Sequence, residues 1–321
     1  MYKSTIGLLV CLSSFLGYAQ QDSLTRKVKA ALADKFPSTR VLNMEYKQLA
    51  PYNTTMRVAG SQESQQYRIK QLEQFRFDGN FELLKRRQWV LSTSLHYQLT
   101  SFNGGTAVQK PFVINSFSGD FHYQSIGMNL THFKRLFNKA AVFNATISVD
   151  GSEQHFERVK GALSGILVVK HTVETTISLG VIAIIEPSVQ VPVLPVFSYV
   201  RRFQNDWELD MTLPQRIYLK KQFLEHSRLS LGSQLNKTSF YIYDNPAHTY
   251  EFRQLEINSG LVYKRIFGGA FIGTLKAGMQ NVFESRIFEK EKSFKNYSVD
   301  NTPKPSFYIN AGVSFNPFYK K

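Results

Sequence analysis

Seven histidines and a set of alternating acids and bases are the side chains through which this 321-residue chain could do chemistry. His96 stands two residues from Ser94, a pairing in which an imidazole could deprotonate a serine. Both read as members of one strand, however, where side chains at i and i+2 sit about 6.6 Å apart. Proton transfer needs about 2.6–3.2 Å. His226 and Ser227 are adjacent in a turn and point apart. His122 and His132 are ten residues apart on one strand, too far along it to share a metal. Neither a Gly-x-Ser-x-Gly elbow nor a His-x-x-Asp arrangement occurs. The residues therefore point away from an enzyme, and they imply no cofactor and no metal.

The charged residues fit a different chemistry. Glu208, Asp210, Arg216, Lys220, Glu256 and Lys276, together with His96 and Gln98, fall on the polar side of segments that alternate polar with apolar. Such positions would line the interior of a barrel. There they could tune the passage of solutes, or pair across the interior and fill it.

The elements that must carry them follow from the period of the chain. Met1-Tyr2-Lys3, the apolar run from Ile6 to Leu16 and the small exit Gly17-Tyr18-Ala19 make residues 1–19 a secretory signal, cut between Ala19 and Gln20. Residues 20–37 form a periplasmic leader in which Leu24, Val28, Leu32 and Phe36 share one helical face, and Pro37 stops the helix. From residue 38 to 321 the period is 2. Trp89, Leu91, Thr93, Leu95, Tyr97 and Leu99 oppose Ser92, Ser94, His96, Gln98 and Thr100. Phe307, Ile309, Ala311, Val313 and Phe315 oppose Tyr308, Asn310, Gly312, Ser314 and Asn316. The apolar run Gly180–Ile185 is strand-sized and no run reaches about 18 residues, so a helical span is excluded and a closed barrel is the remaining membrane structure. The lone cysteine, Cys11, leaves with the signal, so packing and sheet hydrogen bonds must hold the mature chain.

Loop lengths and aromatics supply an orientation. Short turns near 85–87, 138–139, 172–173, 204–206 and 268–269 alternate with longer polar connections near 51–66, 103–117, 151–158, 242–248 and 290–304. Outer-membrane barrels keep their short turns in the periplasm. Trp89, Phe102, Phe203, Trp207, Phe267 and Phe315 stand near strand ends, where interfacial girdles lie. Asp206 to Phe223 breaks the alternation unless Leu213-Pro214-Gln215 is a hairpin loop. Glu208 then faces Lys220, Asp210 faces Tyr218, Thr212 faces Arg216, Leu209 faces Leu219 and Met211 faces Ile217. That gives an all-β antiparallel transmembrane barrel of about 14 strands, with 12 as the alternative if this hairpin lies in the mouth or lumen.

The net charge of +15 drops to +14 without Lys3. Export argues against nucleic acid as a partner, and no zinc spacing, phosphate loop or basic helix argues for it. Outer-membrane lipid, and small solutes passing a mildly cationic interior, are the expected partners.

Pro37-Ser-Thr-Arg-Val41, Asn43-Met-Glu-Tyr46, Pro195-Val-Phe-Ser-Tyr199 and Trp207-Glu-Leu-Asp-Met-Thr-Leu-Pro214 resemble an uncharacterised (domain-of-unknown-function) family of Gram-negative outer-membrane β-barrels, from about Pro37 to the C-terminus. The resemblance implies a fold and a place in the cell outer membrane, and no reaction. Asn310-Ala-Gly312-Val-Ser-Phe315 fits a barrel-assembly signal, from which Pro317 and the final lysines depart. The functional expectation is a porin-like passive channel for small solutes. Its alternative is a filled, structural or partner-binding barrel acting through its outer loops.

Overall fold

The computed structural model describes residues 23–104, 118–186, 188–245, 248–290 and 292–317. The signal segment, most of the 103–117 connection and the last four residues lie outside these. Helix α1 (Ser23–Lys35) is followed by a 3-10 turn at Pro37–Thr39, and a single antiparallel sheet occupies nearly all the rest.

The sheet closes on itself with 14 strands. Strand β1 runs in two segments, Leu42–Leu49 and Tyr52–Val58, and β14 also runs in two, Tyr297–Pro303 and Ser306–Phe315. Pro51 and Pro305 sit in the interruptions, where neither can donate to the ladder. The register nevertheless runs straight through. Leu49 pairs with Tyr308, Thr54 pairs with Pro303 at the same offset, and Ala50 N–H donates to the Phe307 carbonyl at 2.8 Å. The segments 51–58 and 297–303 are thus strand, where the sequence pattern reads as loop.

Between them stand β2 (Ser64–Arg86), β3 (Trp89–Gly104), β4 (Gly119–Leu136), β5 (Lys139–Gly151), β6 (Phe156–His171) and β7 (Thr175–Ile185). There follow β8 (Val193–Arg202), β9 (Trp207–Leu213), β10 (Arg216–Leu224), β11 (Ser227–Asn245), β12 (His248–Phe267) and β13 (Phe271–Glu289). The β9–β10 hairpin has the register its polarity demands: Glu208 opposite Lys220, Asp210 opposite Tyr218, Thr212 opposite Arg216. The turns after β2, β4, β6, β8, β10 and β12 fall at the end that holds α1, whereas the tight β9–β10 turn at Pro214 and Gln215 faces the other way.

Polarity divides the barrel along its axis. Over most of its height Leu95, Ile126, Met128, Ile147, Leu163, Val181, Leu231, Leu261, Leu275 and Ile309 point outward and are exposed. So large a continuous apolar belt far exceeds what water tolerates, and it marks the wall as membrane-spanning. No described helix is long and apolar enough to cross a membrane. At the far end the pattern inverts. Asn53, Arg57, Gln66, Arg68 and Lys70 face outward and are exposed, while Met56, Ile69, Leu72 and Phe102 are buried inside. Phe102, placed in a girdle by its position near a strand end, belongs instead to this inner apolar core.

The core forms because the wall is uneven. Strands β7 to β10 are short, so Leu235–Asn245 of β11 continue past the last β10 partner, at Gln234. The β11–β12 hairpin uses this freedom to fold over the mouth. Phe240 stacks between Phe121 (4.3 Å) and Phe252 (4.5 Å). Phe102, Ile287, Val299 and Tyr308 complete the cluster.

A row of glycines permits the bend. Gly232, Gly260 and Gly278 are directly paired across β11, β12 and β13, flanked by Tyr218 and Tyr308. A Cβ at Gly278 would lie 1.9 Å from the Ser259 carbonyl oxygen, so no other residue lets these backbones approach so closely.

Candidate functional site in the barrel lumen

The interior holds three tiers, each set by the inward face of the strands around it. The lowest is α1, seated in the mouth at the short-turn end. Its C-terminal turn is held by ion pairs. Asp34 receives two hydrogen bonds from Arg228, at 3.0 and 2.7 Å, and one from Lys264 Nζ at 2.7 Å. Burial alone would raise the Asp34 carboxyl, but the charges of Lys264, Arg228 and Lys220 outweigh it and hold the group well below the usual carboxylate range. Lys35 donates to Ser198 Oγ at 2.9 Å and pairs with Asp210 at 3.2 Å, and Lys29 pairs with Glu82. Just beyond the helix, buried Arg40 donates to the Ala33 carbonyl at 2.9 Å and to Ser314 at 2.7 Å.

Above the helix lies a polar tier around a cavity of about 70 Å³, bounded by Glu45, Lys47, Arg76, Glu256, Lys276 and Tyr308 among others. That is room for a few waters. Lys276 donates to Glu45 at 2.8 Å, and Lys47 donates to Glu256 at 2.7 Å. Lys220 donates to Glu208 at 3.1 Å, and both Arg216 and Lys220 pair with fully buried Asp210. His96 Nδ1 lies 2.7 Å from Asp78, which also accepts from Asn43 at 2.9 Å. Gln98 accepts from Arg76 at 2.9 Å and is buried.

All eight residues singled out by alternation thus project inward, but they form several ion-paired knots around the wall, with no single convergent centre. Ser94 accepts from Asn129 at 3.2 Å, and His96 is engaged by Asp78. His122 and His132 face outward, the first 2.9 Å from the Tyr97 hydroxyl and the second stacked 4.0 Å from Trp89. No cluster of three metal-ligating side chains occurs among the described residues.

The third tier backs onto the folded hairpin and escaped sequence reasoning. Arg158 donates to Glu251 at 2.8 Å and to Glu186 at 3.1 Å, while Arg253 binds Glu186 and Glu251, each at 2.6 Å. Lys160 pairs with Asp150, which accepts from Tyr123 at 2.8 Å and Tyr241 at 3.1 Å. Burial would raise Glu186, in the loop after β7, but Lys237, Lys160 and Arg253 lower it further than burial raises it. Alternation assigned Glu256 of β12 inward, one tier below, but it could not show that the outer faces of β11 and β12 turn in above it.

Lys47, Lys276, Arg216, Lys220, Arg158, Lys160 and Arg253 each meet an acid, while Arg76 donates to Gln98 and Lys237 makes no ion pair among the described residues, so pairing neutralises most of the interior's positive charge without removing all of it.

Filling is uneven around the wall. Inward residues of β1, β9 and β10 are mostly buried, whereas Ser125 on β4, Thr146 on β5, Ser164 and Ile166 on β6, Ser178 and Ile182 on β7 and Val196 on β8 are only half-buried. Their side chains are small or aliphatic and uncharged, so a strip of interior stays unfilled along that side.

No known family profile matches the chain and no curated protein matches it, so membership of the uncharacterised barrel family is not established. Among solved structures, an outer-membrane channel from Pseudomonas putida aligns at 12% identity over 85% of this chain and 94% of that one, with a TM-score of 0.35. A FadL homologue from Pseudomonas aeruginosa aligns at 8% identity over 90% and 94%, with a TM-score of 0.41. The P. putida toluene transporter TodX aligns at 9% identity over 89% and 91%, with a TM-score of 0.29. Similarity this low assigns neither a cargo nor a reaction to this chain.

Proposed function

We propose that the chain is an outer-membrane barrel that admits small, uncharged solutes along its β4–β8 side and is held closed by α1 below and the β11–β12 hairpin above. The observation that carries this reading is the uneven filling of the interior, packed and ion-paired along β1 and β9–β10 yet half-filled and uncharged along β4–β8 below the level of Asp150, Arg158 and Lys160. The two stoppers differ in kind. The hairpin is seated by stacked aromatic rings and by ion pairs of Glu251 and Arg253, whereas α1 is held mainly by ion pairs, whose partners water can solvate once the helix moves. The helix is therefore the part that yields. The apolar belt and the short turns beside both chain ends support the outer membrane, with α1 in the periplasm.

Uptake of small neutral sugars by proteoliposomes tests this. The full chain should admit them slowly and an Asp34→Asn variant faster, while Ser164→Trp in that background should cut the rate by obstructing the β6 wall. If neither the full chain nor Asp34→Asn admits sugar, the solute-passing reading fails. A second reading, a filled barrel that acts through its outer loops, would then stand, favoured by the small size of the central cavity.

A further inference from the structure

Most lumen bases are matched by acids, so much of the chain's excess positive charge lies outside the lumen, and one rim gathers a set of it beside the apolar belt. At the short-turn end Arg86, Lys134, Lys139, Lys170, Arg201 and Arg265 are exposed, and none makes an ion pair among the described residues. The register puts them on the outer face of the wall. Arg86 is opposite Trp89, Lys139 opposite Leu136, Lys170 opposite Ile177 and Arg201 opposite Leu209. Lys134 and Arg265 continue the outward series that begins at exposed Leu130 and Leu261. Exposed aromatics stand at the same level: Trp89, Phe137, Phe203, Trp207, Phe267 and Phe271. The Arg201 guanidinium lies 5.3 Å from the Phe203 ring, and Lys221 Nζ lies 5.1 Å from Trp207.

The opposite rim is built differently. There Arg57 and Arg286 pair with Asp300, Lys290 with Glu157 and Lys292 with Glu289. That end pairs several of its cations and carries others, Arg68 and Lys70 among them, on a polar outer face above the belt, whereas the short-turn end sets its cations sideways beside an aromatic girdle.

We propose that this basic collar binds the anionic headgroups of phospholipids in the leaflet that faces the periplasm. The leaflet rests on the orientation given above; the headgroup class rests on the collar alone. Cations that border an apolar belt and lean on interfacial rings are placed where phosphates lie. An acidic protein docking from below would instead meet the turn tips, where Glu174, Asp206 and Glu225 stand exposed and would repel it.

Spin-labelled lipid exchange on the full chain in phosphatidylcholine vesicles reads this out. Labelled phosphatidylglycerol should be enriched over labelled phosphatidylcholine at the protein surface by about fivefold, the factor expected for roughly one cation per headgroup. Raising the salt from 0.1 to 1 M should erase most of the preference. Replacing the six named cations by glutamine should erase it too, in protein whose heat-modifiable gel migration shows a folded barrel. Equal association of the two lipids with the unaltered chain would overturn the proposal, as would a preference indifferent to salt. Labelling of Lys292→Cys on intact cells by an impermeant maleimide checks the leaflet separately. Failure to label, with lipid selectivity intact, would overturn the leaflet assignment and spare the headgroup class.

Discussion

At the scale of single residues, Asp34 carries the most consequence. It receives Arg228 and Lys264 together, and its removal would leave two cations facing each other beneath the lumen. Asp34→Asn is expected to weaken the seating of α1 by about 1–3 kcal/mol, less than for a fully buried pair because the Asp34 side chain keeps 21% of its exposure. The change should appear as faster proteolysis between residues 23 and 41, with the heat-modifiable migration of the barrel unchanged. Proteolysis no faster than in the unaltered chain would argue against ion pairing as the seat. The same residue sets a pH dependence. Its carboxyl is held low in the folded chain, so its contribution is complete above the unfolded value of about 3.9 and is lost as pH falls through the lower folded value. Acid, and not mild alkali, should therefore release the helix.

At the scale of elements, the β11–β12 hairpin is the part most dependent on packing. Phe240→Ala removes a ring stacked on two others and should destabilise the outer core by about 3–5 kcal/mol. Exchange of the amides of Leu235–Asn245 should quicken, while those of β4 within the membrane stay protected. Uniform loss of protection would mean that the hairpin and the wall unfold together. This scale also shows what the sequence could reveal. The β9–β10 register was legible pair by pair, because charge opposes charge and apolar opposes apolar across a short loop. Residues 51–58 and 297–303 were not legible as strand, because two prolines punctuate them and their outward side chains are polar. Polar-inward alternation holds only where lipid is the solvent. Above the belt, water lies outside and the rule reverses, so Phe102 was assigned to a girdle and the core around Phe240 went unread. Glu45 and Lys47 alternate in β1 like the residues that were singled out, but pairing them with Lys276 and Glu256 requires knowing that the barrel closes between β1 and β14.

At the scale of the whole molecule, the barrel is a membrane wall with a stopper at each end, one held by charge and one by rings backed by ion pairs. The fold and the inward set of polar residues were available from length, alternation and turn spacing. The closure of the lumen was not, because it depends on which strands are short and which hairpin leans into the space above them. The central claim, that α1 stops a conduit along β4–β8, is tested most directly by planar-bilayer conductance of the full chain and of a chain lacking residues 20–36. The full chain should show brief, rare openings at neutral pH, and removal of the helix should give sustained steps of a single size. Silence from both chains at every voltage, or identical conductance in the two, would contradict it.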